Sequence, residues 1–237
     1  MTTFVLVHGA CHGGWCWERV APLLEAKGHR VLAPDLPGMG EDRTPLESIT
    51  AESWTQFLVD LIQAQAEPVA LVGHSRGGMQ ITAAAEAAPE RVRRLVYLAA
   101  FAPKDGQTNI ELAMAQCSQE LMSGSAQGAE GAGFPADLAK AVFYNTTEDV
   151  WAARAVSKLC AEPMAVAMTP AHVTAERFGK VKKTYIECLE DRAIPIVGQR
   201  AMQSHADFDA VVSMPTDHSP FYSAPERLAE ALARTAA

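Results

Sequence analysis

Basic residues are the scarce charge in this chain: 20 Lys and Arg stand against 28 Asp and Glu, a formal net charge of −8. A surface of that sign repels phosphate, which excludes nucleic acid as a partner and disfavours an anionic membrane surface. No apolar run approaches the roughly 18 residues that a membrane-spanning helix requires. The N-terminus reaches Gly9 without a basic n-region, so no signal peptide is read and a cytoplasmic location is expected. Cysteine is sparse and dispersed, at positions 11, 16, 117, 160 and 188, an odd number that argues against a disulfide framework. Cys11, His12 and Cys16 form one short cluster without the second ligand pair of a zinc site, so no metal and no cofactor are expected. Internal repeats are absent. What is present is apolar residues, 49% of 237, enough for a packed core and incompatible with a disordered or fibrous chain.

Short apolar runs alternate with helical patterns. Phe4–His8 reads as a strand, Trp15–Lys27 as a helix ended by Gly28, and Arg30 onward as a second strand. Trp54, Phe57, Leu58, Leu61 and Ile62 fall on one face of a helix that Thr50 is placed to cap. The run 68–73 suits a strand buried on both faces of a parallel sheet. A helix at Met79–Ala88, stopped by Pro89, and a strand at Arg94–Ala100 follow. This alternation predicts an α/β domain. It breaks between about 103 and 178, where 123–133 is small-residue and turn-prone and Thr147-Glu148-Asp149 looks like a capped helix start. Strand patterns resume at Val181–Cys188 and Ala210–Met214, and Ser223 with Glu226 reads as a capping box for a last helix. The expected organisation is a core at 1–102 and 179–237 with a helical cap inserted at 103–178.

Gly73-His74-Ser75-Arg76-Gly77-Gly78 lies between a buried strand and a helix. A hydroxyl on so sharp a bend needs small residues two positions to either side, and glycine stands at 73 and 77. Ser75 is therefore the candidate nucleophile. His8-Gly9-Ala10-Cys11-His12-Gly13-Gly14 follows the first strand and can offer a backbone N–H to a developing oxyanion. Ala10 is the expected donor there and Arg76 the second. His8 and His12 are read as loop-orienting residues rather than proton carriers. Of seven histidines, only His218 follows the last strand, as the activating base must; His205 reads as a surface residue. Asp191 leads as the acid that orients it. Glu190 is its neighbour and Asp105 the runner-up, while Asp217 reads as a turn residue.

These segments, with Pro22–His29, Phe178–Ile186, Glu190-Asp191 and Asp217–Leu228, resemble the methylesterase and hydroxynitrile lyase family of α/β-hydrolases. That family includes plant salicylate-binding methylesterases, and the tail is similar to bacterial carboxylesterases of the pyrethroid-hydrolase type. The resemblance covers most of the core and only loosely the cap. It implies the α/β-hydrolase fold, a mostly parallel central sheet flanked by helices with a mainly helical cap. It also implies a Ser75–Asp191–His218 triad, with Ala10 and Arg76 N–H groups forming the oxyanion hole. Departures exist: Ser219 and Gly9 stand where the lyase branch has Lys and Thr, which favours ester hydrolysis over cyanide release. Arg76 stands where the family commonly has an apolar residue or Cys.

The expected activity is hydrolysis of small to medium apolar carboxylic esters through an acyl-enzyme. The alternatives are lyase chemistry on the same fold and a slow-turnover small-ligand receptor. Gly9, His74, Phe134 and Trp151 are expected to touch substrate, with Met114, Leu121, Met122, Phe143, Leu159 and Met164 as further wall candidates. The expected partner is a small-molecule ester, with no nucleic acid and no membrane; the oligomeric state is left open, a homodimer included.

Overall fold

In the computed structural model, which describes residues 1–124, 126–128 and 131–235, six parallel strands make the central sheet. The elements in chain order are β1 (Thr3–Val7), α1 (Ala21–Ala26), β2 (Arg30–Leu32), α2 (Ala51–Gln63), β3 (Val69–His74), α3 (Gly77–Ala87) and β4 (Val92–Leu98). Then follow α4 (Asn109–Gln116), α5 (Gln119–Gly124), β5 (Ala126–Gly128), β6 (Gly131–Gly133), α6 (Ala136–Phe143) and α7 (Asp149–Val156). The chain closes with β7 (Lys183–Cys188), α8 (Ile196–Gln203), β8 (Ala210–Met214), α9 (Pro220–Ser223) and α10 (Pro225–Thr235). None of the described helices is long and apolar enough to cross a membrane.

The sheet order is β2-β1-β3-β4-β7-β8. Because a strand's side chains alternate between faces, Leu6, Val72 and Leu98 enter one apolar layer with Leu24 of α1 and Leu228 and Leu232 of α10. Val7, Leu71 and Leu95 enter the opposite layer with Trp54 and Leu58 of α2, Ile81 of α3 and Met202 of α8. Strands covered on both faces read as continuous apolar runs, which is why the run at 68–73 was legible as β3, one residue out of register with its bounds. After β1 the chain turns to β2 on one side and returns to β3 on the other. The crevice left at this reversal, outside the carboxyl ends of β1 and β3, is where open parallel sheets place their ligands.

Differences from the sequence reading have local causes. The helix expected over Trp15–Lys27 is two pieces, a 3₁₀ turn at Gly14–Trp17 and α1, which begins at Ala21 with Pro22 in its first turn. Thr50 caps α2 as expected, with its side chain accepting from Ser53 N–H. Thr147 does not cap α7 and Ser223 does not cap α10: both hydroxyls donate instead to the Asp217 carboxylate, at 2.8 and 2.7 Å. Part of the turn-prone stretch at 123–133 forms the antiparallel pair β5–β6, while Ser125, Ala129 and Glu130 lie outside the described residues.

The elements between β4 and β7 contribute Leu121, Val142, Phe143, Tyr144, Ala152 and Ala155 to the apolar layer that also holds α1 and α10. Arg154 of α7 adds a bidentate grip on Glu18, which also accepts from the Tyr222 hydroxyl at 2.6 Å.

Candidate active site

β3 ends at His74, and Ser75 follows with φ of +53°, a left-handed conformation costly for a residue with a Cβ. The turn is held by its neighbours: Ser75 N–H donates to Leu98 O, and Ser75 O accepts from Gly78 and Phe101 N–H. A Cβ at Gly73 would lie 2.6 Å from Gly77 O. Since that obstacle is backbone, Gly73→Ala is expected to cost about 1–3 kcal/mol, lowering Tm by roughly 2–10 °C in a chain of this size. Calorimetry checks this, and an unchanged Tm would show that the bend tolerates a methyl group.

Asp191 lies past β7 and His218 past β8, so neighbouring strands bring together residues 27 apart in sequence. His218 Nδ1 donates to Asp191 Oδ2 at 2.7 Å. Asp191 Oδ1 accepts from Ala193 and Ile194 N–H at 2.7 and 2.8 Å, and Oδ2 also accepts from Gln199 Nε2 at 3.2 Å. Burial pushes the Asp191 carboxyl above its ordinary range, opposed by the His218 charge and these amides. Glu190 is exposed, and Asp105 is exposed and bonded to His172, so neither faces His218.

Ser75, His218, Ala10, Arg76, His74 and Phe134 all line one cavity of about 160 Å³ at the carboxyl edge of the sheet. Among the described residues the Ser75 hydroxyl has no hydrogen-bond partner, and His218 Nε2 is likewise unpaired. Catalytic contacts are commonly loose before substrate binds. The backbone N–H groups of Ala10 and Arg76 donate to no protein acceptor among the described residues.

Of the expected wall residues, Leu121, Met122, Phe143 and Met164 line the cavity, whereas Met114, Leu159 and Trp151 do not. Trp151 is a correction: its ring stacks on Tyr222 at 5.6 Å with Arg19 over it at 4.6 Å, bracing α7 rather than meeting a ligand. Gly9 is another. It does not line the cavity, and a Cβ there would come within 2.9 Å of His74 Nδ1 and the Ser75 Cβ, so glycine permits close packing of the two loops. His74 touches the cavity, yet its Nε2 donates to the His218 carbonyl at 2.8 Å and supports that loop.

His8 and His12 orient the first loop. His8 Nδ1 donates to Gly9 O while its Nε2 accepts from Leu36 N–H. His12 Nδ1 donates to Ala10 O, and its Nε2 accepts from the Tyr144 hydroxyl at 2.6 Å. His205 is half-buried, with Nε2 bonded to Ala102 O.

Burial drives the pKa of His8 down to about 3, helped by the Arg76 charge, that of His12 to about 4, and that of His74 well below 6.5. Between about pH 4 and 6.5 these histidines take up protons on unfolding while staying neutral in the folded protein. The stability they confer is complete above about pH 6.5 and is lost as the pH falls from there toward 4 and 3, at up to about 4 kcal/mol per pH unit where all three act. Urea melts at pH 7, 6 and 5 check this; a midpoint independent of pH over that range would contradict it.

Two supports were missed in the sequence. Asp217 is fully buried, not an ordinary turn residue: its carboxylate also accepts from Thr146 and Ser219 N–H at 3.0 and 3.1 Å. It thereby ties the His218 loop to the segment ahead of α7. Gln199 of α8, also fully buried, bonds Cys188 on both its N–H and C=O and reaches Ile194 O as well as Asp191. A glutamine beside Gly198 and three positions before Met202, on the buried face of α8, was the available signal. Among the described residues no group of three or more His, Cys, Asp or Glu could hold a metal ion.

A parallel sheet whose third strand ends in a strained serine turn, with an acid and a histidine on later strand ends, defines an α/β-hydrolase. The chain belongs to the alpha/beta hydrolase family, whose model matches residues 4–231, and it is a hydrolase of that family. It is 34% identical to Methylesterase 1 of Arabidopsis thaliana over 96% of this chain and 93% of that one. It is also 34% identical to the pyrethroid hydrolase of Sphingobium wenxiniae, over 98% and 87%. The crystal structure of polyneuridine aldehyde esterase superposes with a TM-score of 0.88 at 25% identity, covering 100% of both chains. Relatives of these names support carboxylesterase activity.

Proposed function

We propose that the chain is a serine carboxylesterase acting on small to medium, uncharged, largely apolar esters. Carrying this reading is a single juxtaposition: a strained Ser75, a His218 oriented by Asp191, and two backbone N–H groups without a partner among the described residues border one cavity. The segment at 103–178 acts as the cap over it.

Asp191 accepts a hydrogen bond from His218 Nδ1–H, which keeps that hydrogen on Nδ1 and leaves Nε2 as a base. As Ser75 Oγ bonds to the ester carbonyl carbon, its proton passes to Nε2 and the carbonyl π electrons move onto oxygen. The Ala10 and Arg76 N–H groups receive that charge, each donor worth about 3–4 kcal/mol of barrier. Collapse breaks the bond to the alkoxide, which takes the proton from His218. Water then gives a proton to Nε2 as it attacks the acyl carbon; collapse breaks the bond to Oγ, which takes that proton back from His218, so the acid is released and Ser75 restored.

Two charged side chains, Arg76 and Glu162, border the cavity, and they pair with each other at 2.8 Å. Among the described residues that leaves no unpaired ion at the cavity to recognise a charged substrate. A volume near the ~150 Å³ of an apolar cavity known to hold benzene suits one ring or a short chain. A panel of p-nitrophenyl esters from acetate to decanoate, run on the wild type and Ser75→Ala, tests the reading. Turnover is expected to peak at short to medium acyl lengths and to vanish in the variant. Mandelonitrile cleavage without ester turnover would overturn it.

A further inference from the structure

Arg76 supplies a backbone N–H to the cavity, and that role would be met by almost any residue. Its side chain needs a separate explanation. The side chain is 1% exposed. Nε pairs with Glu162 Oε1 at 2.8 Å, Nη1 donates to Gln80 Oε1 at 2.8 Å, and Nη2 donates to Gly9 O at 3.1 Å. Cζ lies 4.4 Å from the centre of the Trp54 ring. Desolvating such a pair is costly and weakly justified by stability alone.

Its contacts converge on Ala10. The Gly9 carbonyl and the Ala10 N–H belong to one planar trans peptide, so whatever grips the oxygen aims the hydrogen on the opposite side. Gly9 O is gripped twice, by Arg76 Nη2 and by His8 Nδ1 at 2.9 Å. The following peptide is held as well. Cys11 N–H donates to Glu162 Oε2 at 2.9 Å, Ala10 O accepts from His12 Nδ1, and Cys11 sits at φ of +60°. Both peptides that meet at Ala10 are thus fixed by the two ends of one ion pair. A cation on the Gly9 oxygen also polarises the amide, strengthening its N–H as a donor; bonds in such chains reinforce one another by about 10–30%. Glu162 lies in the segment between β4 and β7, so docking of that segment and the aim of Ala10 are joined.

We propose that Arg76 serves both halves of the oxyanion hole: its backbone N–H is one donor, and its guanidinium, braced by Glu162, aims and polarises the other, Ala10 N–H. The side chain is a positioning group, and the proposal rests on the esterase reading above.

The test compares wild type, Arg76→Gln and Arg76→Lys on p-nitrophenyl acetate and against an aryl trifluoromethyl ketone, whose Ser75 adduct carries the oxyanion. Deleting an oxyanion donor outright costs about 10²–10³ in kcat, so misaiming one is expected to cost about 10- to 100-fold in Arg76→Gln with KM changed less than about threefold. Affinity for the ketone should fall by the same factor. Arg76→Lys should recover little, since one ammonium cannot span Gly9 O and Glu162 together. Folded Arg76→Gln with kcat and ketone affinity within twofold of wild type would overturn the proposal. Should that variant fail to fold, Gln80→Leu, which releases only Nη1, is expected to lower both quantities together by about threefold; neither changing would overturn it equally. Ester turnover that is lost in Ser75→Ala but indifferent to Arg76 sinks this proposal alone, whereas turnover indifferent to Ser75 sinks the esterase reading with it.

Discussion

Ser75→Ala is expected to lower kcat on p-nitrophenyl acetate by about 10⁴- to 10⁶-fold while leaving the fold intact. The magnitude follows from what remains. Without Oγ there is no acyl-enzyme, and only the oxyanion donors and the enclosed cavity can act, with water as nucleophile. Alanine and serine each carry a Cβ, so the φ of +53° is no more strained in the variant. Tm should therefore move by no more than about 2–4 °C, the shift produced by about 1 kcal/mol in a chain of this length. Stopped-flow adds a second measurement. The wild type should release a burst of nitrophenol equal to its active sites if deacylation is slow, and the variant none. Residual activity within tenfold of wild type would remove Ser75 from the mechanism.

Asp191→Asn is expected to cost about 10⁴-fold in kcat, the loss seen when an orienting carboxylate becomes an amide. One oxygen survives to accept from Ala193 and Ile194 N–H, so the loop keeps its shape. The other position now bears an NH₂ facing Gln199 Nε2 and His218 Nδ1, two donors. The imidazole can relieve that clash by moving its hydrogen to Nε2, and Nε2 then cannot accept the Ser75 proton. The pH dependence separates this from simple loosening: kcat should rise with pH as hydroxide takes over the base's work, without reaching the wild-type value. A variant retaining a tenth of wild-type kcat would show that the acid lies elsewhere.

How much of this was legible without coordinates varies with the range of the interaction involved. The serine turn was readable because its constraint is steric and short: Gly73 and Gly77 nearly touch, and nothing distant is needed to explain two glycines flanking a serine. The buried strands were readable from composition. Boundaries fared worse where tertiary contacts compete with local caps. Thr147 and Ser223 look like capping residues, yet a buried Asp217 claims both hydroxyls because its charge is the costlier group to leave unsatisfied. Trp151 looked like a pocket wall and proved a brace, since periodicity does not say toward which neighbour an aromatic face turns.

By itself the sequence determined the α/β class, the strand–turn–helix bend with its serine, and a short set of candidates for base and acid. Those depend on backbone sterics and patterning within a few residues. Only the tertiary structure decided that Asp191 rather than Glu190 or Asp105 meets His218, that Gln199 clasps the Asp191 carboxylate, and that Arg76 reaches Gly9 and Glu162. Each of those pairings depends on which strand lies beside which. That order comes from burying both faces of one sheet at once, a global condition to which no local stretch of sequence is sensitive.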